Sequence, residues 1–179
     1  MSRILRSSGA LLFVAVITVL IFSSRVTSYA QMSDEAQIRA LENRFADAFK
    51  AKDVDRFMLN YEHSSNLAFF DVVPRREYLG WEAYKRDWQG FFDSIGPVAL
   101  FEVRDLTVSV DGNVAYSYSF QHYTATTKAG ASRNVTVRVT DVYRKSVGKW
   151  RIVQEHVSVP VDPQSGKGDF QPPPELEQR

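Results

Sequence analysis

Gly148-Lys149-Trp150-Arg151-Ile152-Val153-Gln154-Glu155-His156-Val157-Ser158-Val159-Pro160 reads as a long closing β-strand, entered through a glycine turn and stopped by proline. Side chains two apart on a strand share a face, so unbroken alternation places Trp150, Ile152, Gln154, His156 and Ser158 together. That face grades from bulky and apolar to polar, as one wall of a small-molecule pocket does. The face carrying Trp150 is the one to pack on a core, which predicts an inward His156.

Working back from this strand, Val98 to Val110, Asn113 to Thr126 and Arg133 to Lys145 read as three more long strands. They are separated by Asp111-Gly112, Lys128-Ala129-Gly130 and Ser146-Val147-Gly148. Connections this short exclude parallel crossovers, so the four run antiparallel. The first half of the chain is helical. Ser33 is placed as an N-cap ahead of Asp34 and Glu35, and Ile38, Leu41, Phe45, Ala48 and Phe49 follow a helical period. Asp53 caps a short second helix with Val54, Phe57, Met58 and Tyr61 on its apolar stripe. Leu67 to Asp71 forms a short strand ended by Pro74. A third helix after Gly80 carries Trp81, Tyr84, Trp88, Phe91 and Phe92 on one face. Helices first and a meander afterwards predict an α+β domain, in which a curved, mainly antiparallel sheet wraps three helices around a cone-shaped cavity.

The flanks are of a different character. Arg3 and Arg6 precede an apolar run from Ala10 to Phe22, and Ser28-Tyr29-Ala30 offers small residues for cleavage, so residues 1–30 read as a signal peptide. The run is short for a membrane span of about 20 residues, which leaves an uncleaved anchor as the alternative. The expectation is a secreted or periplasmic domain over 31–161, followed by a disordered tail over 162–179 rich in Pro, Gly, Gln and charge. Loss of Arg3, Arg6 and Arg25 moves the formal charge from +1 to −2, which argues against nucleic acid as partner. The chain has no cysteine, and His63, His122 and His156 lack the spacing of a metal site. Neither a metal nor a cofactor is expected, since no phosphate loop, nucleophile elbow or nucleotide fingerprint occurs.

This order of elements resembles the nuclear transport factor 2-like superfamily, and within it the SnoaL-like, ketosteroid-isomerase-related proteins. The resemblance rests on Phe70-Asp71 followed by Pro74, on Gly80-Trp81-Glu82-Ala83-Tyr84, on Arg138-Val139-Thr140-Asp141-Val142-Tyr143, and on the closing strand itself. It implies the cone fold, covers roughly residues 34–160, and leaves the reaction open, because isomerases, dehydratases and non-catalytic modules share the scaffold. Asp71 falls where the steroid isomerases hold their general base. Their oxyanion tyrosine and protonated aspartate are replaced by Phe45 and Thr140.

Asp71, His156 and His122 are accordingly the candidate catalytic groups, with Asp71 alternatively capping its own turn. His122 joins them because Tyr116, Tyr118, Phe120 and His122 share an aromatic face expected to lie inside. Tyr84, Trp88, Tyr118 and Trp150 supply the expected aromatic lining. Arg138 and Thr140 alternate with Val135, Val137 and Val139, and the residues alone allow either face to line the cavity. The resemblance selects the polar one, with Arg138 clamping an oxyanion or carboxylate and the valines forming an outer homodimer face. The expected ligand is a small apolar or carbonyl- or carboxylate-bearing molecule. The expected activity is cofactor-independent isomerase or dehydratase chemistry, with a ligand-binding or oligomerisation module as the alternative.

Overall fold

The computed structural model describes residues 32–173 apart from 74 and 76. The expected signal segment lies outside the described residues. Helix α1 (Asp34–Ala51) starts where the Ser33 hydroxyl accepts from the Ala36 N–H, and α2 (Val54–Met58) where Asp53 accepts from Arg56 N–H. After β1 (Ala68–Phe70) and β2 (Tyr78–Leu79) comes α3 (Trp81–Ser94), then β3 (Ile95–Asp111), β4 (Val114–Thr127), β5 (Ser132–Ser146) and β6 (Lys149–Ser158).

The six strands form one sheet in the order β2-β1-β6-β5-β4-β3, antiparallel except where β1 runs parallel to β6. Strand β3 has three register shifts along its length, and such extra residues bend and twist a strand. The resulting curl gives the sheet a concave face, on which α1 lies with Ile38, Leu41, Phe45, Ala48 and Phe49 buried. Rings fill the space between the helices and the sheet: Phe45 and Phe57 are 4.4 Å apart, Phe49 and Phe101 4.2 Å, and Phe57 and Trp88 4.3 Å. The α+β cone architecture is that expected from the order of elements.

One irregularity changes the reading of the closing strand. Tyr143 on β5 pairs with Ile152 on β6, but the preceding Val142 pairs with Gln154, so Val153 is an extra residue on β6. Ile152 is held on its other side by the chain before β1, donating to the Asn60 carbonyl and accepting from the Glu62 N–H. The bulge resets the alternation: Trp150 and Ile152 are buried, and beyond it Glu155 is buried while His156 is exposed.

The segment after β6 departs from the compositional expectation of a disordered tail. Val161 bridges Gly168, the Asp162 carboxylate accepts from the Gln164 and Ser165 N–H groups, and the Phe170 carbonyl accepts from Thr136 N–H at 2.7 Å. Composition missed these local caps, which organise a polar turn without a core of its own. The chain thus leaves the sheet, turns, and returns beside β5.

Candidate functional site

A cavity of about 530 Å3 opens between α3, the second half of β4, the start of β5, the end of β6, the loop after β1, and the returning C-terminal segment. Its aromatic and apolar wall comes from Phe49, Trp88, Phe91, Tyr123, Val135 and Val137. Its charged groups are Asp71, Asp87, Glu155 and, on an exposed part of β5, Arg133. Phe170 of the C-terminal segment completes the rim.

Among the described residues Glu155 is the one cavity-lining carboxyl that is fully enclosed, 3% exposed, and it is oriented by two tyrosines. The Tyr61 hydroxyl donates to its Oε2 at 2.8 Å and the Tyr84 hydroxyl to its Oε1 at 2.7 Å. The Tyr84 ring is itself stacked on Phe69. Directly across the strand pair stands Asp141, and across the next pair Ser117, so Glu155, Asp141 and Ser117 form one inward-facing ladder. The ladder ends on the helix. The Tyr143 hydroxyl donates to Glu42 Oε1 on α1 at 2.7 Å, lies 2.8 Å from Ser117 Oγ and approaches Asp141 Oδ2 at 3.4 Å.

Three carboxyls therefore share a buried polar cluster. Burial pushes Glu155 and Glu42 up to about 7, the two tyrosine hydroxyls partly opposing this at Glu155 and the Tyr143 hydroxyl at Glu42. Burial, then the charges of Glu155 and Glu42, raise Asp141 well above the usual carboxylate range. Asp141 Oδ1 has no hydrogen-bond donor among the described residues. Two facing carboxylates cannot satisfy one another, whereas a carboxylic acid beside a carboxylate can, so a proton held between Asp141 and Glu155 accounts for the orphaned oxygen. Asp71 lies at the mouth, where its Oδ1 accepts from the Val72 N–H; burial and then the nearby Asp87 raise its carboxyl above the ordinary value.

Of the residues expected to form the site, the structure brings Asp71 and Trp88 to the cavity and sets Tyr84 behind Glu155. The others lie elsewhere. His156, Thr140 and Tyr118 occupy one ladder that crosses the outer face from Phe70, all of them solvent-exposed. Arg138 is exposed on the same face, and Val135 and Val137 line the cavity in its place. His122 also faces outward, enclosed to 7% exposure with Nδ1 2.8 Å from Thr136 Oγ1; burial, then the Arg104 charge, lowers its pKa. Trp150 is buried away from the cavity, its indole N–H donating to Asp34 Oδ1. The Val153 bulge explains His156. On β4 and β5 the faces Ala115-Ser117-Ser119 and Val135-Val137-Val139 turn inward, where small side chains leave space for the buried Tyr143 ring that reaches Glu42 on α1.

Sequence reading missed Glu42, Tyr61, Asp141, Tyr143 and Glu155 as a group. Signals existed: Glu42 lies on the helical face of Ile38, Phe45 and Phe49, Asp141 interrupts the stripe from Val135 to Tyr143, and Glu155 shares a face with Val157. A carboxylate on an apolar stripe marks a buried polar contact.

The SnoaL-like domain family matches residues 38–162. A solved NTF2-like protein of unknown function from Pseudomonas putida KT2440 is 27% identical, covering 80% of this chain and 99% of its own with a TM-score of 0.68. An NTF2-like superfamily protein from Salmonella enterica is 23% identical over 74% of this chain and 94% of its own, TM-score 0.65. A ketosteroid isomerase-like protein from Erwinia carotovora is 21% identical over 71% and 97%, TM-score 0.59, a likeness of fold. No curated protein matches.

Proposed function

The chain belongs to the SnoaL-like domain family, on the nuclear transport factor 2-like cone, and from that footing we propose that it binds a small, largely apolar molecule in the cavity and moves a proton on it. The observation that carries this is the Glu155 carboxyl, held by two tyrosine hydroxyls at the cavity wall and brought by burial to about 7. A base poised near the working pH is half-loaded with protons, which suits it to take one and return it.

In the proposed step the Glu155 carboxylate accepts a proton from a carbon made acidic by a neighbouring electron-withdrawing group. The resulting acid returns that proton to another carbon, an isomerisation, or to a departing hydroxyl, which leaves as water in a dehydration. Asp71, on the mouth side, is the second group able to carry a proton. Tyr61 and Tyr84 position Glu155. The chemistry needs no cofactor, and the signal-like segment over 1–30 supports action outside the cytoplasm. The exposed Phe70, Tyr116 and Tyr118 on the outer sheet face support a homodimer through that face.

The test is hydrogen exchange on whatever molecule co-purifies with the protein, followed by mass spectrometry in deuterated water. Wild type incorporates deuterium into the bound molecule, and Glu155→Gln slows this by at least ~100-fold, the size of a general-base contribution. Binding without exchange in the wild type instead marks a non-catalytic module.

A further inference from the structure

The charge lining the cavity has a sign, and the sign selects a ligand. Asp71, on the loop after β1, and Asp87, on α3, both line the cavity and lie near enough for the Asp87 charge to raise the Asp71 carboxyl, and Glu155 lines it from β6. Among the described residues none of the three is in an ion pair, and Arg133 is the one cation that lines the cavity. Arg133 is exposed and lies beside the Tyr123 hydroxyl. Arg75 sits over the Tyr78 ring, 5.9 Å from its centroid, and the Tyr78 hydroxyl hydrogen-bonds to Asp87. Among the described residues the lining thus carries three carboxyls to one cation; Asp71 adds its repulsion at Tyr84 and Glu155, while at Tyr123 Arg133 acts more strongly in the opposite sense.

Three ligand classes face this cavity differently. A carboxylate or phosphate would bring another negative charge into a water-poor space beside Asp71 and Glu155. A neutral apolar body would strip water from Asp71 and Asp87 and give them nothing in return. A cationic head meets both carboxylates at once, while its body rests against Trp88, Phe91 and Tyr123, whose ring faces also attract cations. We infer that the cavity takes an amine: a positively charged ammonium group held between Asp71 and Asp87 on an aromatic or aliphatic body that fills the pocket. This rests on the cavity-binding reading above and names its ligand class. Arg138, expected to hold an anionic group, is on the other side of the sheet.

Titration calorimetry of the full chain at pH 8 with three shape-matched probes tests the inference: 2-phenylethylamine, 2-phenylethanol and 3-phenylpropanoate. The amine is expected to bind at least about tenfold more tightly than the alcohol, as a charge-assisted contact requires, and the carboxylate more weakly than either. Asp71→Asn and Asp87→Asn each lower amine affinity about tenfold while leaving alcohol affinity within about twofold. Alcohol or carboxylate binding equal to or tighter than the amine overturns the inference and leaves cavity binding standing, as does an amine affinity indifferent to both Asn variants. If none of the three binds, the inference and the cavity-binding reading fall together.

Discussion

At the residue scale, the buried carboxyls make stability depend on pH. Glu42 and Glu155 have folded pKa values near 7 against 4.5 in an open chain, so the native state holds protons that the unfolded state releases between those values. Their contribution is fully present below pH 4.5 and is lost as the pH rises through 7. Urea unfolding of the wild type should show stability falling across that window. Glu42→Gln keeps an amide oxygen to accept from Tyr143 and removes the charge. It should flatten the slope and raise stability at pH 8 by about 1–3 kcal/mol, since each pKa unit is worth about 1.4 kcal/mol. A variant less stable than wild type at pH 8 would show that the Glu42 charge is compensated in the fold.

At the scale of elements, helices and strand boundaries were legible because their causes are local: Ser33 and Asp53 as caps, Gly80 ahead of the aromatic helix, Asp111-Gly112 between long strands. Facing was not, because it depends on pairing. Counting by twos from Trp150 puts His156 inside, and a single added residue at Val153, fixed by contacts of Ile152 with both Tyr143 and the Asn60–Glu62 segment, puts Glu155 there instead. Trp88 and Asp71 were found because helical period and a strand end are read without register. The C-terminal turn was hidden for a different reason: its order comes from hydrogen bonds rather than from apolar residues, and among its described residues Phe170 is the one that lines the cavity. Ending the chain after Val159 removes that residue and the bond to Thr136. This truncation should weaken ligand retention about tenfold, roughly the value of one buried aromatic contact, while Tm falls by only a few degrees. Retention unchanged in native mass spectra would show that the segment is not part of the cavity wall.

At the scale of the molecule, the sheet separates two faces with different tasks. The concave face carries the cavity and its carboxyls. The convex face carries the ladder Phe70, His156, Thr140, Tyr118 and Thr107, with Tyr116 and Tyr118 about half exposed. Exposed rings over strands that are already paired on both sides favour face-to-face packing over edge pairing. Light scattering should give a dimer mass for the wild type and a monomer for Tyr118→Lys, with the circular dichroism spectrum unchanged. A dimeric Tyr118→Lys protein would place any interface elsewhere.

Glu155, and not His156, is the group proposed to handle the proton in this cavity. Carbon-13 NMR of glutamate-labelled protein, with Glu155→Gln identifying the signal, follows its carboxyl directly through pH. A titration near pH 7 is expected, linked to that of Asp141; a titration near the ordinary glutamate value of 4.5 would take the proton-handling role away from Glu155.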